Sequence, residues 1–307
     1  MLKQLVDRLT NVTVVGVDLG SEVLKAVELE RSERGLVLRS CVIEPVNGRD
    51  PVALLKQALT EPGAEVHVAL GLASPELVVK PFEFPRMPQH ELAKAIQLEA
   101  EQAILDGHTA SEMAIDWHLT GAGPKKSMRG VLAVVPKTVI ESRLAIARRA
   151  GLRPVVIDAE GLALWNAWLL EPNRPAARQT VLLLNVGARN TNLIIAATPD
   201  ELVIVRDFQL GAQAIAAGQG HEWVGEIRDS LAYARSRGRF RGVEAAVVSG
   251  GGASQDVATL VAKAAGVPAT IWNPLEAVRR DARSPQIPES TGPLLAVALG
   301  LALRQPE

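Results

Sequence analysis

Residues 12–30, VTVVGVDLGSEVLKAVELE, constrain this chain more than any other stretch. The apolar run Val12 to Val17 reads as a strand, Asp18-Leu19-Gly20-Ser21 as a turn, and Val23 to Leu29 as a second strand. A tight glycine turn gathers backbone N–H groups into a concavity that favours anions. Gly20 and Ser21 are therefore expected to offer N–H groups and a hydroxyl to a phosphate, and Lys25 to reach the same anion. Asp18 is the expected holder of a magnesium water, the one metal role in the chain. An ordinary hairpin looks the same, so the chemistry needs a matching signal elsewhere.

That signal opens the second half. Val181 to Asn185 reads as a strand, Gly187 to Asn190 as a turn, and Thr191 to Ala197 as a strand. Asn185 and Gly187 stand 167 positions after Asp18 and Gly20. Two like hairpins opening two lobes are the trace of a duplicated fold. If the lobes face each other, the turns converge on one cleft for the phosphates of a nucleotide. A third glycine turn follows the strand Ala245 to Val248, where Gly250, Gly251 and Gly252 lead into a helix ending at Ala265. Such a turn lets backbone approach a ligand closely and sets helix N-terminal donors beside it.

Between the hairpins lie a strand over Leu36–Glu44, a helix over Pro51–Leu59 capped by Asp50, and a buried strand over Val66–Leu70. From Leu77 the order is strand, helix, strand, strand, helix, closed by Gly151, which makes an α+β unit inserted in the first lobe. A strand over Val155–Asp158 and a helix over Ala159–Leu170 complete that lobe. The polar run Glu171–Gln179 is the linker. An amphipathic helix over Glu222–Arg235 and a closing helix over Pro293–Leu303 belong to the second lobe. The expected domains are 11–175, with the insertion at 72–153, and 176–307.

Composition removes several classes. A net charge of −1 leaves no global field for nucleic acid. Cys41, the single cysteine, excludes an intrachain disulfide and fits a reducing compartment. No apolar run approaches the roughly 18 residues of a membrane span. The five histidines lack metal-ligand spacing. Leu2, Leu5, Val6 and Leu9 share one face of a short N-terminal helix. Arg235, Arg237, Arg239 and Arg241 form either a solvated loop or a contact for an acidic partner or lipid phosphate.

The segments VDLGSEVLK (17–25), AEGLA (159–163), NVGARNT (185–191) and VVSGGGA (247–253) resemble, in this order, the loops of the actin-like ATPase superfamily. The resemblance implies an α/β, two-lobed actin-like (ribonuclease H-like, duplicated) fold that binds ATP with magnesium. A narrower resemblance is to the PilM-like family of type IV pilus assembly, on the FtsA-like branch. It is carried by residues 16–30, by FEFPRMPQHELAKAIQLEAEQAI (82–104), by AIDWHLTG (114–121) and by VIESRLAIARRAGLRPVVIDAEGLAL (139–164). It implies a cytoplasmic scaffold, peripheral at the inner membrane, that binds the N-terminal tail of a PilN-like membrane protein in a groove between the first lobe and the insertion. It further implies a link to the pilus motor ATPase and self-association.

Asp18, Gly20, Ser21, Lys25, Gly187, Thr191, Gly250, Gly251 and Gly252 are the cofactor-binding residues carried over, with Glu160 where some relatives position an attacking water. Two departures weaken the expected nucleotide site. Asn185 replaces an Asp, and only about thirty residues separate Gly211 from Glu244, where relatives place a subdomain over adenine. At most a slow ATPase is expected. The alternatives are an active Mg-ATPase and an FtsA-like filament-forming membrane tether.

Overall fold

The structure is a computed structural model and describes residues 13–32, 35–60, 65–104, 107–122, 127–172, 174, 179–197, 201–236 and 240–304. The N-terminal helix expected over Met1–Thr10, the turn at 123–126 and the Arg237 and Arg239 positions lie outside these residues. The chain divides into two compact units: residues up to 72 with 143–172 and 273 onward, and residues 73–142 with 173–272.

The first unit is built on a five-stranded sheet in the order β3-β2-β1-β4-β8. Its strands are β1 (Val14–Leu19), β2 (Val23–Ser32), β3 (Gly35–Pro45), β4 (His67–Leu72) and β8 (Arg153–Ala159). β1, β2 and β3 are antiparallel neighbours, and β1, β4 and β8 run parallel. Helix α1 (Pro51–Leu59) starts as expected, with Ala53 N donating to Asp50 Oδ2 at 3.2 Å. Its Leu54 and Leu55 pack with Val17, Leu24, Val68 and Leu70 on one face of the sheet.

The alternate residues of β1 face the other way. There α8 (Ala296–Ala302) lies so close that a Cβ on Gly16 would stand 2.1 Å from Ala298 O. Helix α4 (Glu160–Trp168) packs on α8, and a Cβ on Gly300 would stand 1.8 Å from Ala163 O. The expected closing helix is shorter than its apolar run, because Pro293 lies in a 3₁₀ segment, Glu289–Leu295, that precedes it.

The second unit holds two sheets. β5 (Val78–Pro85), β7 (Ser127–Pro136) and β6 (Met113–Ala122) form the smaller, in that order. Helix α2 (Gln89–Glu101) covers it with Leu92, Ile96 and Ala100 against Phe82, Leu132 and Val134. α3 (Lys137–Arg149) follows in sequence; its Ala147 belongs to the core of the first unit, and Gly151 beyond it takes φ +82, as a helix-closing glycine should.

The larger sheet runs β11-β10-β9-β12-β13, from Glu201–Phe208, Thr191–Ala197, Thr180–Val186, Ala245–Ser249 and Ala269–Ile271. Its strand pattern repeats that of the first sheet: three antiparallel strands, then two parallel ones. The 167-residue offset is therefore an offset between equivalent hairpins. Helices α5 (Ala212–Ala216), α6 (Gly220–Ser236) and α7 (Gln255–Ala265) lie on this unit. Trp223, Ile227, Leu231, Val257 and Val261 pack on Leu182, Leu184, Leu193 and Ile195. Each fully buried side chain of this size contributes about 1.5–3 kcal/mol.

Candidate functional site

In the first unit the glycine turn joins β1 to β2, and Asp18 and Leu19, expected in the turn, both lie inside β1. The ladder explains this, since Asp18 and Lys25 are cross-strand partners. Partners in a ladder project from the same face. Lys25 Nζ donates to Asp18 Oδ2 at 2.6 Å, with the two side chains only 15% and 5% exposed. A pair this far from water needs close contact to offset its desolvation. Lys25 thus sits on the carboxylate assigned to a magnesium water. Gly20 is crowded: a Cβ would stand 2.8 Å from Val23 O and 3.1 Å from Lys25 Nζ. Ser21 is exposed beside it.

Parallel register brings other acids to the same end of this sheet. Val17 of β1 is opposite Leu70 of β4, and Gly71 is opposite Asp158 of β8. The carboxyl ends of parallel strands are where open α/β sheets bind ligands. Glu160, the first residue of α4, is buried here, and a Cβ on Gly71 would lie 3.1 Å from its Cγ. A carboxylate at a helix start is also favoured by the helix dipole. Arg304 Nε lies 3.2 Å from Asp158 Oδ2.

In the second unit the other two glycine turns meet. Gly187 N donates to Asn190 O at 2.9 Å within its turn, and Gly187 O and Ala188 O accept from Ala212 N and Gln213 N at the start of α5. Gly252 N donates to Val186 O at 2.8 Å. Only glycine fits Gly250, with φ +90 and a would-be Cβ 2.5 Å from Val186 O. Gly251 is exposed. Gly187, Gly250, Gly251 and Gly252 therefore form one backbone assembly at the ends of β9 and β12.

Thr191 is placed differently from its neighbours. It is fully buried, its hydroxyl donates to Leu210 O at 2.7 Å, and it accepts from Trp223 Nε1 at 3.0 Å. Its hydroxyl is committed inside the fold.

Asn185 heads a row of polar side chains across β9, β10 and β11. Its Nδ2 donates to Asn192 Oδ1 at 2.8 Å, and Asn192 Nδ2 donates to Asp207 Oδ1 at 2.8 Å. Burial pushes the Asp207 carboxyl up to about 6, against the lowering effect of the Asn192 amide. Asn192 and Asp207 were not expected as site residues. The signal for Asn192 was one amide inside the apolar strand TNLIIAA.

These residues fit phosphate oxygens better than a directly held cation. In the first unit Gly20 supplies backbone and Lys25 charge, and in the second the Gly187 and Gly250–Gly252 turns supply backbone. Asp18 already faces Lys25, and Asn185 is neutral. Among the described residues no group of three or more His, Cys, Asp or Glu is placed to hold a metal ion. Magnesium, which keeps several waters, would arrive with the phosphates it neutralises.

The second unit also has a hollow of about 470 Å³ lined by Phe82, Phe84, Glu99, Arg129, Glu201 and Val203, among others. Its charges are matched internally: Arg129 reaches Glu83 at 3.1 Å and Glu201 at 2.9 Å, and Lys80 pairs with Glu99. Among the described residues no helix is long and apolar enough to cross a membrane.

The family model for type IV pilus assembly protein PilM matches residues 16–218. A structure solved as a PilM–PilN type IV pilus biogenesis complex is 26% identical, covers 95% of this chain and 98% of that chain, and superposes with a TM-score of 0.77. A Bacteroides thetaiotaomicron protein with an actin-like ATPase fold matches at 10% identity and a TM-score of 0.50 over 89% of this chain and 94% of that one. The fold of this chain is that of the actin-like ATPases.

Proposed function

The chain belongs to the PilM family of type IV pilus assembly proteins, and from that premise we propose that it is an actin-like scaffold holding the N-terminal cytoplasmic tail of a PilN-like inner-membrane protein. The observation that carries this reading is the match, over nearly the whole of both chains, to a structure solved as a PilM–PilN complex. In this reading the chain resides in the cytoplasm, peripheral at the inner membrane through its partner. The same role extends to contact with the pilus motor ATPase and to self-association. Calorimetric titration with the N-terminal peptide of a PilN-like protein from the same genome tests the reading. Saturable one-to-one binding is expected, and absence of heat with every such peptide overturns it.

Nucleotide binding is the second element of the proposal. Gly20, Ser21 and Lys25 in one unit, and Gly187 with Gly250–Gly252 in the other, are the groups proposed for phosphate. The Lys25–Asp18 pair and the neutral Asn185 support weak retention of Mg-ATP. An active ATPase is the competing reading, favoured by the buried Glu160 beside Gly71. Phosphate release with magnesium decides between them, since turnover that Asp18→Ala abolishes would establish the enzyme.

A further inference from the structure

Asn185, Asn192 and Asp207 are successive cross-strand partners, Asn185 opposite Asn192 and Asn192 opposite Asp207. On its other side Asn185 is paired with Ser249, the residue before Gly250. One row of side chains therefore runs from the β11 edge to the strands that carry both glycine turns of this unit. Each link is a good hydrogen bond at 2.8 Å.

The donor inventory fixes the direction of the row. A carboxylate only accepts, so Asn192 must offer Nδ2 to Asp207. Its Oδ1 is then left to accept Nδ2 of Asn185, and Oδ1 of Asn185 is the atom left for a ligand. A protonated Asp207 can donate instead. Asn192 would then turn its amide over to receive that proton, offer Nδ2 to Asn185 Oδ1, and leave the Asn185 N–H₂ group for a ligand.

We infer that Asp207 is a positioning residue which, through Asn192, sets whether Asn185 presents an oxygen acceptor or an N–H donor beside the glycine turns. An acceptor suits a ligand hydroxyl or a metal-bound water, and a donor suits a phosphate oxygen. The inference deepens the nucleotide reading above and rests on it for the identity of the ligand, though the row itself does not need one.

Across the ladder this carboxyl faces uncharged side chains. Burial and the Asn192 amide are the causes of its shift, and its neighbours on the same face of β10 and β9 are Asn192, Ile194, Asn185 and Leu183. Arg206, the adjacent cation on β11, projects from the opposite face, where it meets Ser230 and Glu226 of α6.

The test is side-chain NMR on the full chain, labelled with ¹⁵N-asparagine and ¹³C-aspartate, between pH 4.5 and 8. The Asn185 and Asn192 amide resonances should move together, with the midpoint of the Asp207 carboxyl. Asp207→Asn should abolish that movement while circular dichroism stays unchanged. Asn192→Leu should decouple Asn185 while Asp207 still titrates. Asn185 resonances that stay fixed while Asp207 titrates would overturn the inference, as would the same titration persisting in Asp207→Asn. If Mg-ADP shows no calorimetric binding at any pH, the nucleotide reading fails separately, and the row is still judged by its own resonances.

Discussion

Lys25 Nζ rests 2.6 Å from Asp18 Oδ2 across the first hairpin, with both groups largely withdrawn from water. The ammonium expected to meet a phosphate is held by the carboxylate expected to meet magnesium. A ligand at this turn has to compete for one of them. A phosphate would draw Lys25 away, and a hydrated cation would displace it.

Removing one partner should therefore cost more than removing both. Lys25→Met leaves a buried carboxylate alone and is expected to destabilise by about 3–5 kcal/mol. Adding Asp18→Asn should recover most of that loss. Urea denaturation of the two single variants and the double variant, read as a cycle, measures the coupling.

Thr191→Val should destabilise by about 2–3 kcal/mol, because it strands Trp223 Nε1 and Leu210 O together. Thr191→Ser keeps the hydroxyl and should lose well under half of that. Comparable losses in the two variants would show that the hydroxyl bonds do not matter. Chemical denaturation provides the measurement.

Two glycines within helices should respond oppositely to alanine. Gly225 in α6 has nothing within 4 Å of its would-be Cβ, so Gly225→Ala should stabilise by about 0.5–1 kcal/mol through helix propensity. Gly300 gains the same propensity, but its Cβ would meet Ala163 O at 1.8 Å, inside any tolerable contact. The clash wins, and Gly300→Ala should lower the melting temperature sharply or prevent folding.

Asp207 gives the fold a pH signature. Its carboxyl is raised from 3.8 to about 6 in the folded chain. Below about pH 4 it is protonated in both states and contributes nothing. Between about pH 4 and 6 the unfolded chain binds fewer protons, so stability falls as pH rises and levels off above. The loss at neutral pH is at most about 3 kcal/mol. Asp207→Asn lacks this term, so its stability relative to the parent should climb across that window. Guanidinium melts at pH 4, 5, 6 and 7 supply the comparison.

Much of this architecture was legible because hairpins and glycine turns are local. The two equivalent hairpins, the Asp50-capped helix, the α+β segment and the Gly250 turn follow from periodicity and turn chemistry over a dozen residues. What escaped depends on who covers a face. Thr191 sits in a turn motif like its neighbours, and nothing nearby in sequence says that Trp223 will claim its hydroxyl. β11 was missed altogether, and with it Asp207, because a part-exposed edge strand has little of the apolar run that marks a buried one. The pairing of Lys25 with Asp18 needed the register, which a turn alone fixes only when its length is known.

The seat of α8 on Gly16 has a further consequence for how the chain is made. β1 starts at Val14 and β4 at His67, yet the helix that shields their surface starts only at Ala296. Until α8 leaves the ribosome, this sheet has one bare apolar side. Contacts this distant in sequence also close slowly. The core around β1 is thus completed only after Ala296 has been made, and in that interval its apolar face is open to association.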